Sequence, residues 1–319
     1  MHMKDPNAVT RTVAGPVMPV DAPLSPAATA LAAASISPNT RRAYAAALAG
    51  LDAALLGAPV SDTALAEYLA ERHEAGVSPA TLGVVVAAVR FTAKASGLPS
   101  PAGPATARVM AGARREGAGR GRGQVSGVQW SQADAAAAVA ANGGNSIAGL
   151  RDAAMIAVAS DGMLRVSEIA ALQVEDLEAD GPDTVRVRRS KTDQDGEGVA
   201  LYLGPATLRR VREWVDAADI ADGPLFRQVR RGGAVQSAGL SARSIRSIFA
   251  ARCEAAGIEG RISGHSLRVG AAQSLASAGA GLVEMQQAGR WDSPTMPARY
   301  ARGQLAAKGA VARLRYGKG

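Results

Sequence analysis

The sequence contains few aromatic residues: phenylalanine, tryptophan and tyrosine together account for 3% of the 319 residues, although 47% of the residues are hydrophobic. Alanine and glycine, which have small side chains or none, are abundant instead. An all-β protein needs more aromatic and β-branched side chains to cover its sheets. The composition therefore predicts closely packed helices with small side chains at their contacts.

Cysteine and histidine are also scarce. Cys253 is the single cysteine, which excludes an internal disulfide framework, and three histidines leave little material for a dedicated zinc site. We expect Cys253 to be a small, buried hydrophobic residue, and we expect the protein to work without a metal ion or another cofactor.

The chain also lacks long apolar segments. No stretch approaches the roughly 20 unbroken apolar residues of a membrane-spanning helix, and the N-terminus lacks the basic head and apolar core of a secretion signal. We therefore expect a cytoplasmic protein. The formal net charge of +8 and the isoelectric point near 10.1 favour an anionic partner. Nucleic acid fits this charge better than a membrane surface does.

The chain is about twice as long as a usual domain, so we expect two domains. Residues 1–36 are rich in proline and alanine without sustained periodicity, which predicts a flexible N-terminal arm with at most one short helix. Within residues 37–114, helical segments begin at Ser37, Ser61 and Ser78, each with a capping residue at its start and glycine near its end. They predict a small all-helical domain.

A Gly/Arg linker is predicted at residues 115–127, where the sequence is REGAGRGRGQVSG. Its glycines oppose helix formation, and Arg120 and Arg122 suit contact with a phosphate backbone. A solvated linker with incidental charge is an equally good interpretation of these arginines.

Residues 128–319 form the predicted second domain, whose pattern is mostly helical. The predicted helices begin near Ser131, run through an apolar segment to Gly162, continue from Pro205 through Gly257, and resume near Ser266 and Gln304. Between them, hydrophobic residues alternate in TVRVRRSKTDQDGEGVALYLG, which predicts two short strands joined by a polar turn. We expect a mainly α fold with a small antiparallel sheet.

Charged residues of chemical interest occur in two segments of this domain. In GMLRVSEIAAL, Arg165 and Glu168 share one face at the start of a helix, where they are also compatible with an ordinary ion pair. In RRSKT, Lys191 lies on the turn between the two strands. Only five of the 36 basic residues are lysine, so Lys191 suggests a need for a proton donor that can titrate.

Two later segments contribute further candidates. GHSLRVGAAQSLASAG puts His265 and Arg268 on one helix face, followed by small residues that allow tight helix packing. AGRWDSPTMPARYAR contributes Trp291 and Tyr300. On its own, a tyrosine near a C-terminus is more often a half-buried packing residue.

Together these residues fit phosphoryl transfer without a metal. Arg165 and Arg268 have guanidinium forks for the nonbridging oxygens of a phosphodiester, whose negative charge increases in the five-coordinate transition state. His265 and Trp291 add hydrogen-bond donors.

Tyr300 and Lys191 complete this scheme as nucleophile and acid. Free tyrosine has a pKa of about 10, so ionising it near neutral pH costs roughly 4 kcal/mol, which nearby cations and a base must offset. The leaving 5′ oxygen needs a proton, and Lys191 is the obvious acid.

The second domain resembles the tyrosine recombinase/integrase family in the order of six residues: Arg165, Lys191, His265, Arg268, Trp291 and Tyr300. The segment from His265 to Tyr300 matches without a gap, and Trp291 stands where many members have a second histidine. Weaker similarity runs through residues 37–316, in NTRRAYAAAL, ASGLPSP and LSARSIRSIFAARCEAAG.

The resemblance implies a SAM-like, core-binding helical bundle followed by a mixed α/β catalytic domain of the tyrosine recombinase type, which together clamp duplex DNA. Glu168 joins the implied catalytic set. Tyr300 would form a 3′-phosphotyrosine, and a homotetramer would exchange strands between two inverted-repeat sites through a Holliday junction. Neither ATP nor a metal would be required. The C-terminal helix would dock into a neighbouring protomer, although packing on its own domain is the alternative.

Residues that contact DNA are expected on two helices. In ARSIRSIFAARC, Arg243 and Arg246 project away from an apolar stripe, and the resemblance assigns Arg243 to guanine, whose O6 and N7 suit an arginine fork. Thr40, Arg41 and Arg42 lie on a helix of the first domain that is expected to enter a groove. Solvated helix faces are an equal alternative for Arg41 and Arg42.

Two other functions fit the sequence less well. A type IB topoisomerase shares the same constellation but relaxes supercoils as a monomer. A non-catalytic DNA-binding accessory protein is disfavoured because every catalytic position is filled. The resemblance also implies a bacterial or phage-encoded protein associated with the nucleoid.

Overall fold

Helices dominate both halves of the chain. The structure is a computed structural model that describes residues 25–120, 123, 125–143, 146–188, 198–305 and 315. Contacts divide the chain into two units, Met1–Gly123 and Gln124–Gly319, so the division falls inside the segment predicted to be a linker.

The first unit is helical throughout its described elements, which are α1 (Pro26–Ala34), α2 (Pro38–Leu55), α3 (Asp62–Glu74), α4 (Pro79–Ala95) and α5 (Pro104–Glu116). The predicted starts of α2, α3 and α4 are confirmed. Ser37, Ser61 and Ser78 each accept a hydrogen bond from the backbone N–H three residues later, at 3.1, 3.1 and 3.4 Å.

Two elements of this unit lie at the edges of the predicted segments. Helix α1 lies within the predicted arm, and α5 extends to Glu116, two residues into the predicted linker. The core forms where α2, α3, α4 and α5 meet, and it includes the buried residues Leu51, Leu65, Leu69, Leu82 and Met110.

Asp62 begins α3 and also caps α5, whose own preceding residue, Gly103, has no side chain to do so. The Asp62 carboxylate accepts hydrogen bonds from the backbone N–H groups of Gly103, Ala105 and Thr106, at 2.9, 2.8 and 3.0 Å. Hydrogen bonds from Thr106, with smaller contributions from Ala105 and Gly103, lower the pKa of Asp62 to about 2. This carboxylate therefore joins α3 to α5.

The second unit combines helices with two hairpins. Its helices are α6 (Trp130–Asn142), α7 (Ile147–Asp161), α8 (Val166–Ile169), α9 (Pro205–Ala217), α10 (Ala242–Ala255), α11 (Ser266–Ser277), α12 (Leu282–Gly289) and α13 (Thr295–Leu305). Its strands are β1 (Thr184–Val187), β2 (Val199–Tyr202), β3 (Arg227–Val229) and β4 (Val235–Gly239).

The predicted pair of strands is confirmed as the antiparallel hairpin β1–β2. Val185 lies opposite Leu201, and Val187 lies opposite Val199. Val185 and Val187 are buried, which explains the alternating hydrophobic pattern in the sequence. The predicted fold class, mainly α with small antiparallel sheets, is confirmed as well.

The expectation that the segment from Pro205 through Gly257 contains only helices is wrong. Helix α9 ends at Ala217, and the antiparallel hairpin β3–β4 precedes α10. Its turn closes through the Arg230 N–H, which donates to the Ala234 carbonyl at 3.0 Å, and it contains Gly233 at a φ of +84°. These strands, RQV and VQSAG, contain one large hydrophobic residue each and no buried residue, so they show no hydrophobic alternation.

The sequence pattern also misses α12 and α13. The helix predicted from about Gln304 falls mostly outside the described residues, whereas α13 begins earlier, at Thr295. No helix within the described residues is both long enough and apolar enough to span a membrane.

The core of the second unit depends on close backbone contacts as well as on large side chains. Trp214 is fully buried, and its Nε1–H donates to the Leu225 carbonyl at 2.8 Å. On α11, a Cβ added to Gly270 would lie 1.8 Å from the Val128 carbonyl oxygen. Only glycine permits this contact, which confirms the tight packing expected after Arg268.

We predict that Asp62→Asn lowers the melting temperature by a few degrees at pH 5, because the α5 amides lose a charged acceptor. A carboxylate whose pKa is lowered to about 2 stabilises the fold fully above its unfolded pKa of 3.8 and loses this effect as pH falls towards 2. Circular dichroism melts at pH 2 to 5 measure the difference. Asp52→Asn, at an exposed position, is the control. If the difference in melting temperature between wild type and Asp62→Asn is as large at pH 2 as at pH 5, Asp62 does not cap α5 as a carboxylate.

Candidate active site

Arg165 and Glu168 are held together at the start of α8. The chain enters this helix through a turn in which Met163 has a φ of +47°. The Glu168 carboxylate then accepts hydrogen bonds from the Arg165 backbone N–H at 2.9 Å and from Arg165 Nη1 at 2.6 Å. The ion pair expected from their spacing is therefore present, and it fixes the direction of the Arg165 guanidinium.

The Glu168 carboxylate is buried, with 2% of its side chain exposed. Burial by itself would raise the pKa of Glu168, but the Arg165 N–H and the charges of Arg290 and Arg165 outweigh it, so that the pKa is lowered. Glu168 is therefore ionised at neutral pH and carries its charge inside the protein.

Arg268 lies in the first turn of α11 and is 4% exposed. Its Nη1 donates to the Met163 carbonyl at 2.5 Å, and its Nη2 donates to the Gly289 carbonyl. Burial, followed by the charges of Arg165 and Arg290, lowers the pKa of Arg268 to about 9, which leaves the guanidinium charged near pH 7. It is thus a fixed cation in a poorly hydrated position.

His265 is the residue immediately before α11, and part of it reaches solvent. Partial burial of the imidazole lowers the pKa of His265 below its usual 6.5, and the charges of Arg268 and Arg165 lower it further. The ring is therefore neutral near pH 7, where one nitrogen donates a hydrogen bond and the other accepts a proton.

Trp291 connects Arg268 to Tyr300. The Arg268 guanidinium carbon lies 4.8 Å from the centre of the Trp291 ring, and the centres of the Trp291 and Tyr300 rings are 5.7 Å apart. Tyr300 is half-buried on α13, which packs against α11 through the buried Ala301. The structure therefore brings Tyr300 next to Trp291, on which the predicted Arg268 stacks.

Sequence reasoning missed Arg290, which belongs to the same cluster. Its Nη2 donates to Glu168 Oε2 at 2.8 Å, and its Nη1 donates to the Gly162 carbonyl at 2.9 Å. Arginine is the common cation of this chain, so the residue type alone did not distinguish Arg290. Its position next to Trp291 was the only available signal.

These groups give the site a surplus of positive charge. Three guanidinium groups, those of Arg165, Arg268 and Arg290, lie around the single carboxylate of Glu168. Such a surplus in a partly buried position suits an anion with paired oxygen acceptors, such as the two nonbridging oxygens of a phosphodiester. Within the described part of the chain, no three His, Cys, Asp or Glu side chains group as metal ligands would.

Lys191 lies outside the described residues, so the structure does not locate its side chain. Its neighbours in sequence are described up to Arg188 and again from Gly198, at the ends of β1 and β2. The predicted position of Lys191 in the connection between these strands is therefore retained as a prediction.

On α10, the predicted division into a buried and an exposed face is confirmed. Ile245, Phe249 and Cys253 are buried, and burial raises the pKa of the Cys253 thiol to about 11. Arg243 and Arg246 are exposed. Arg246 also lies beside the candidate site, since a Cβ added at Gly264, the residue before His265, would be 2.9 Å from Arg246 Cγ.

The predicted DNA contacts of the first unit are distributed over two places. Thr40 is half-buried in the first turn of α2, where Arg41 and Arg42 are exposed. Arg120 Nη1 donates to the His73 carbonyl at 2.9 Å, at the end of α3. Arg122 lies outside the described residues.

We predict that Gly289→Ala disturbs the stacking of Arg268 on Trp291, because a Cβ at this position would lie 2.1 Å from Trp291 Cζ3. Overpacking of this kind lowers the free energy of unfolding by about 1–3 kcal/mol, which urea denaturation measures. Gly83→Ala on α4 is the control, because its Cβ would meet open space. Equal unfolding free energies for the two variants would contradict the predicted contact.

Comparison with known proteins gives this geometry a family context. Residues 131–306 match the phage integrase family. The recombinase Cre of Escherichia phage P1 is 30% identical over 181 residues, which cover 52% of this chain and 53% of Cre. An integrase/recombinase xerD homologue of Selenomonas ruminantium is 32% identical over 162 residues, which cover 48% of each protein. The chain thus matches about half the length of these curated relatives.

Solved structures share the fold at low sequence identity. One is the XerH site-specific recombinase bound to a palindromic difH substrate, with a TM-score of 0.64 and 15% identity, over 86% of this chain and 79% of that chain. Another is the Tn1549 transposon integrase in complex with transposon right end DNA, with a TM-score of 0.62 and 15% identity, over 89% and 98%. These similarities support the fold.

The family match covers more than half of the chain, and it includes every described residue of the cluster from Arg165 to Tyr300. The resemblance to the tyrosine recombinase/integrase family is confirmed by this match and by the relative Cre. The chain belongs to the phage integrase family.

Proposed function

We propose that this protein is a site-specific DNA recombinase that cuts and rejoins DNA through Tyr300. The observation that carries the proposal is the chain of contacts from Arg268 through Trp291 to Tyr300, over distances of 4.8 and 5.7 Å. These contacts connect the Tyr300 phenol, through one aromatic ring, to the buried guanidinium of Arg268. The recombinase names of the curated relatives agree with this function.

In the proposed reaction, Arg165 and Arg268 bind the nonbridging oxygens of the scissile phosphate. Both guanidiniums are held by protein acceptors before DNA arrives, so little reorganisation is needed as charge builds up in the transition state. Trp291 keeps Arg268 in place by stacking and is available as an N–H donor.

Covalent transfer then exchanges one phosphate ester for another. The Tyr300 oxygen forms a bond to phosphorus while the bond to the 5′ oxygen breaks, which leaves a 3′-phosphotyrosine and a free 5′-hydroxyl. Neutral His265 accepts the phenol proton, and Lys191 gives a proton to the leaving oxygen. Because the ester bond is conserved, ATP is not consumed in this step. The proposed step also needs no metal, because the guanidinium groups stabilise the charge that builds up on the phosphate.

Recombination follows when the 5′-hydroxyl of one duplex attacks the phosphotyrosine of the other, which restores the tyrosine and forms a Holliday junction. We propose a homotetramer on two inverted-repeat sites, in which the C-terminal helix of each protomer docks into the next. In this proposal residues 37–114 are the DNA-binding domain, residues 115–127 are the linker and residues 128–319 are the catalytic domain.

The proposed partner is double-stranded DNA, which agrees with the net charge of +8. Arg243 and Arg246 of α10 are exposed and are available to base edges or phosphates. Thr40, Arg41 and Arg42 on α2 and Arg120 and Arg122 of the linker extend this contact. Association with the bacterial nucleoid would follow from it.

We predict that the wild-type protein forms a covalent adduct with its DNA and that Tyr300→Phe does not. The DNA is first selected from random duplexes by the purified protein, and is then supplied with a nick near the cleavage site so that the cut fragment escapes. Denaturing gels detect the adduct. Tyr202→Phe, which removes an exposed hydroxyl from the same unit, should retain it. An adduct with Tyr300→Phe would show that another residue is the nucleophile.

The products distinguish the proposed function from its alternatives. Recombinant plasmids and four-protomer complexes on paired sites support the recombinase. Relaxation of a supercoiled plasmid by a monomer, without recombinants, supports a type IB topoisomerase. Selective DNA binding without an adduct supports an accessory protein.

We predict that Lys191→Ala slows DNA cleavage by about 10²–10⁴-fold, because the 5′ oxygen then leaves without a general acid. A substrate with sulfur in place of that oxygen should restore the rate, since a thiolate leaves without protonation. Single-turnover cleavage of both substrates measures the effect, with Lys94→Ala on α4 as the control. Failure of the sulfur substrate to rescue the variant would remove Lys191 from this role.

A further inference from the structure

Arg290 occupies a costly position that fold stability alone does not explain. Its side chain is 9% exposed, and its Nε–H is buried without a hydrogen-bond partner among the described residues. Its backbone has a φ of +50°, which is unfavourable for a residue with a Cβ. Buried ion pairs contribute little net stability, because desolvation offsets the attraction between the charges. Such costs are typical of functional positions.

The contacts of Arg290 lead to both arginines that we propose as phosphate ligands. It shares the Glu168 carboxylate with Arg165: Oε1 accepts from Arg165 Nη1, and Oε2 accepts from Arg290 Nη2. It also shares a carbonyl with Arg268, because Met163 accepts from Arg268 at 2.5 Å and from Arg290 at 3.4 Å. Arg290 is thus the link between two guanidiniums that share no acceptor among the residues that the structure describes.

The position of Arg290 in the chain strengthens this link. Arg290 caps α12 between Gly289, whose carbonyl accepts from Arg268, and Trp291, whose ring stacks on Arg268. Movement of the Arg290 backbone would therefore displace a second acceptor of Arg268 and its aromatic support. The Gly162 carbonyl, held by Arg290 Nη1 at 2.9 Å, anchors the turn that leads to Arg165.

We infer that Arg290 is a positioning residue of the active site, which holds Arg165 through Glu168 and holds Arg268 through the Met163 turn. The inference rests on the proposed recombinase function and deepens it. Arg290 does not contact the phosphate in this arrangement. It sets the distance and direction between the two guanidinium groups that do.

The test compares single-turnover cleavage and DNA binding for Arg290→Met. Loss of the link should lower the cleavage rate by about 100-fold, the effect of a displacement near 1 Å, while the dissociation constant for DNA changes far less. Arg212→Met is the matched control, since Arg212 forms an exposed pair with Glu178 in the same unit, at 2.9 Å. Equal losses in binding and cleavage, or an unchanged cleavage rate, would overturn the inference.

Two further variants separate positioning from a general structural role. Arg290→Lys keeps the charge beside Glu168 but cannot reach three acceptors at once, so it should restore the rate in part. In the double variant Glu168→Gln with Arg290→Met, the loss should be smaller than the product of the two single losses, because both act on Arg165. Fully multiplicative losses would show that Arg290 does not act through Glu168.

A measurement on the DNA-free protein tests the positioning role of Arg290 separately from the proposed function, because it does not depend on DNA cleavage. In the DNA-free protein, NMR relaxation of the Nε–H groups should show that the side chains of Arg165 and Arg268 are rigid in the wild type and mobile in Arg290→Met. If the wild type makes no adduct but these signals respond, the proposed function fails and the positioning role stands. If the wild type makes the adduct and the signals do not respond, the positioning role fails alone.

Discussion

The buried carboxylate of Glu168 is the constraint on which the candidate site depends. A charge removed from water requires partners, and Glu168 finds them in the backbone and side chain of Arg165 and in Arg290. Glu168 and Arg290 are 122 residues apart in sequence. Satisfying this carboxylate therefore brings α8 and the end of α12 together, and it directs the arginines before any phosphate is bound.

Small residues make this arrangement possible, which explains why a chain with 3% aromatic residues builds a compact site. Gly270 lets α11 approach the backbone at Val128, and Gly289 leaves room for the ring of Trp291. Two of the few aromatic side chains lie in the site, where Trp291 contacts both Arg268 and Tyr300. The helix contacts determine where these rings lie, and the rings in turn connect the cations to the proposed nucleophile.

Several features formed by residues close together in the sequence were predicted, whereas contacts between residues far apart in the sequence were missed. The predicted starts of α2, α3 and α4 are correct because each serine cap bonds to a residue three positions away. The hairpin β1–β2 was predicted because its alternating residues are neighbours in the sequence. The hairpin β3–β4 was missed because its strands, RQV and VQSAG, contain one large hydrophobic residue each and therefore show no hydrophobic alternation. Arg290 was missed because its partners, Glu168 and the Gly162 and Met163 carbonyls, are remote in sequence.

The sequence by itself determined the helical class, the family resemblance and the residue types available for phosphoryl transfer, because these depend on composition, local periodicity and motif order. It also paired Arg165 with Glu168, whose separation lies within one helical turn. Only the tertiary structure decided that Arg268 stacks on Trp291, that Trp291 adjoins Tyr300, and that Arg290 completes the cluster. These contacts lie beyond the range of one helical turn, and the one between Arg290 and Glu168 spans 122 residues, so their geometry depends on how the helices pack.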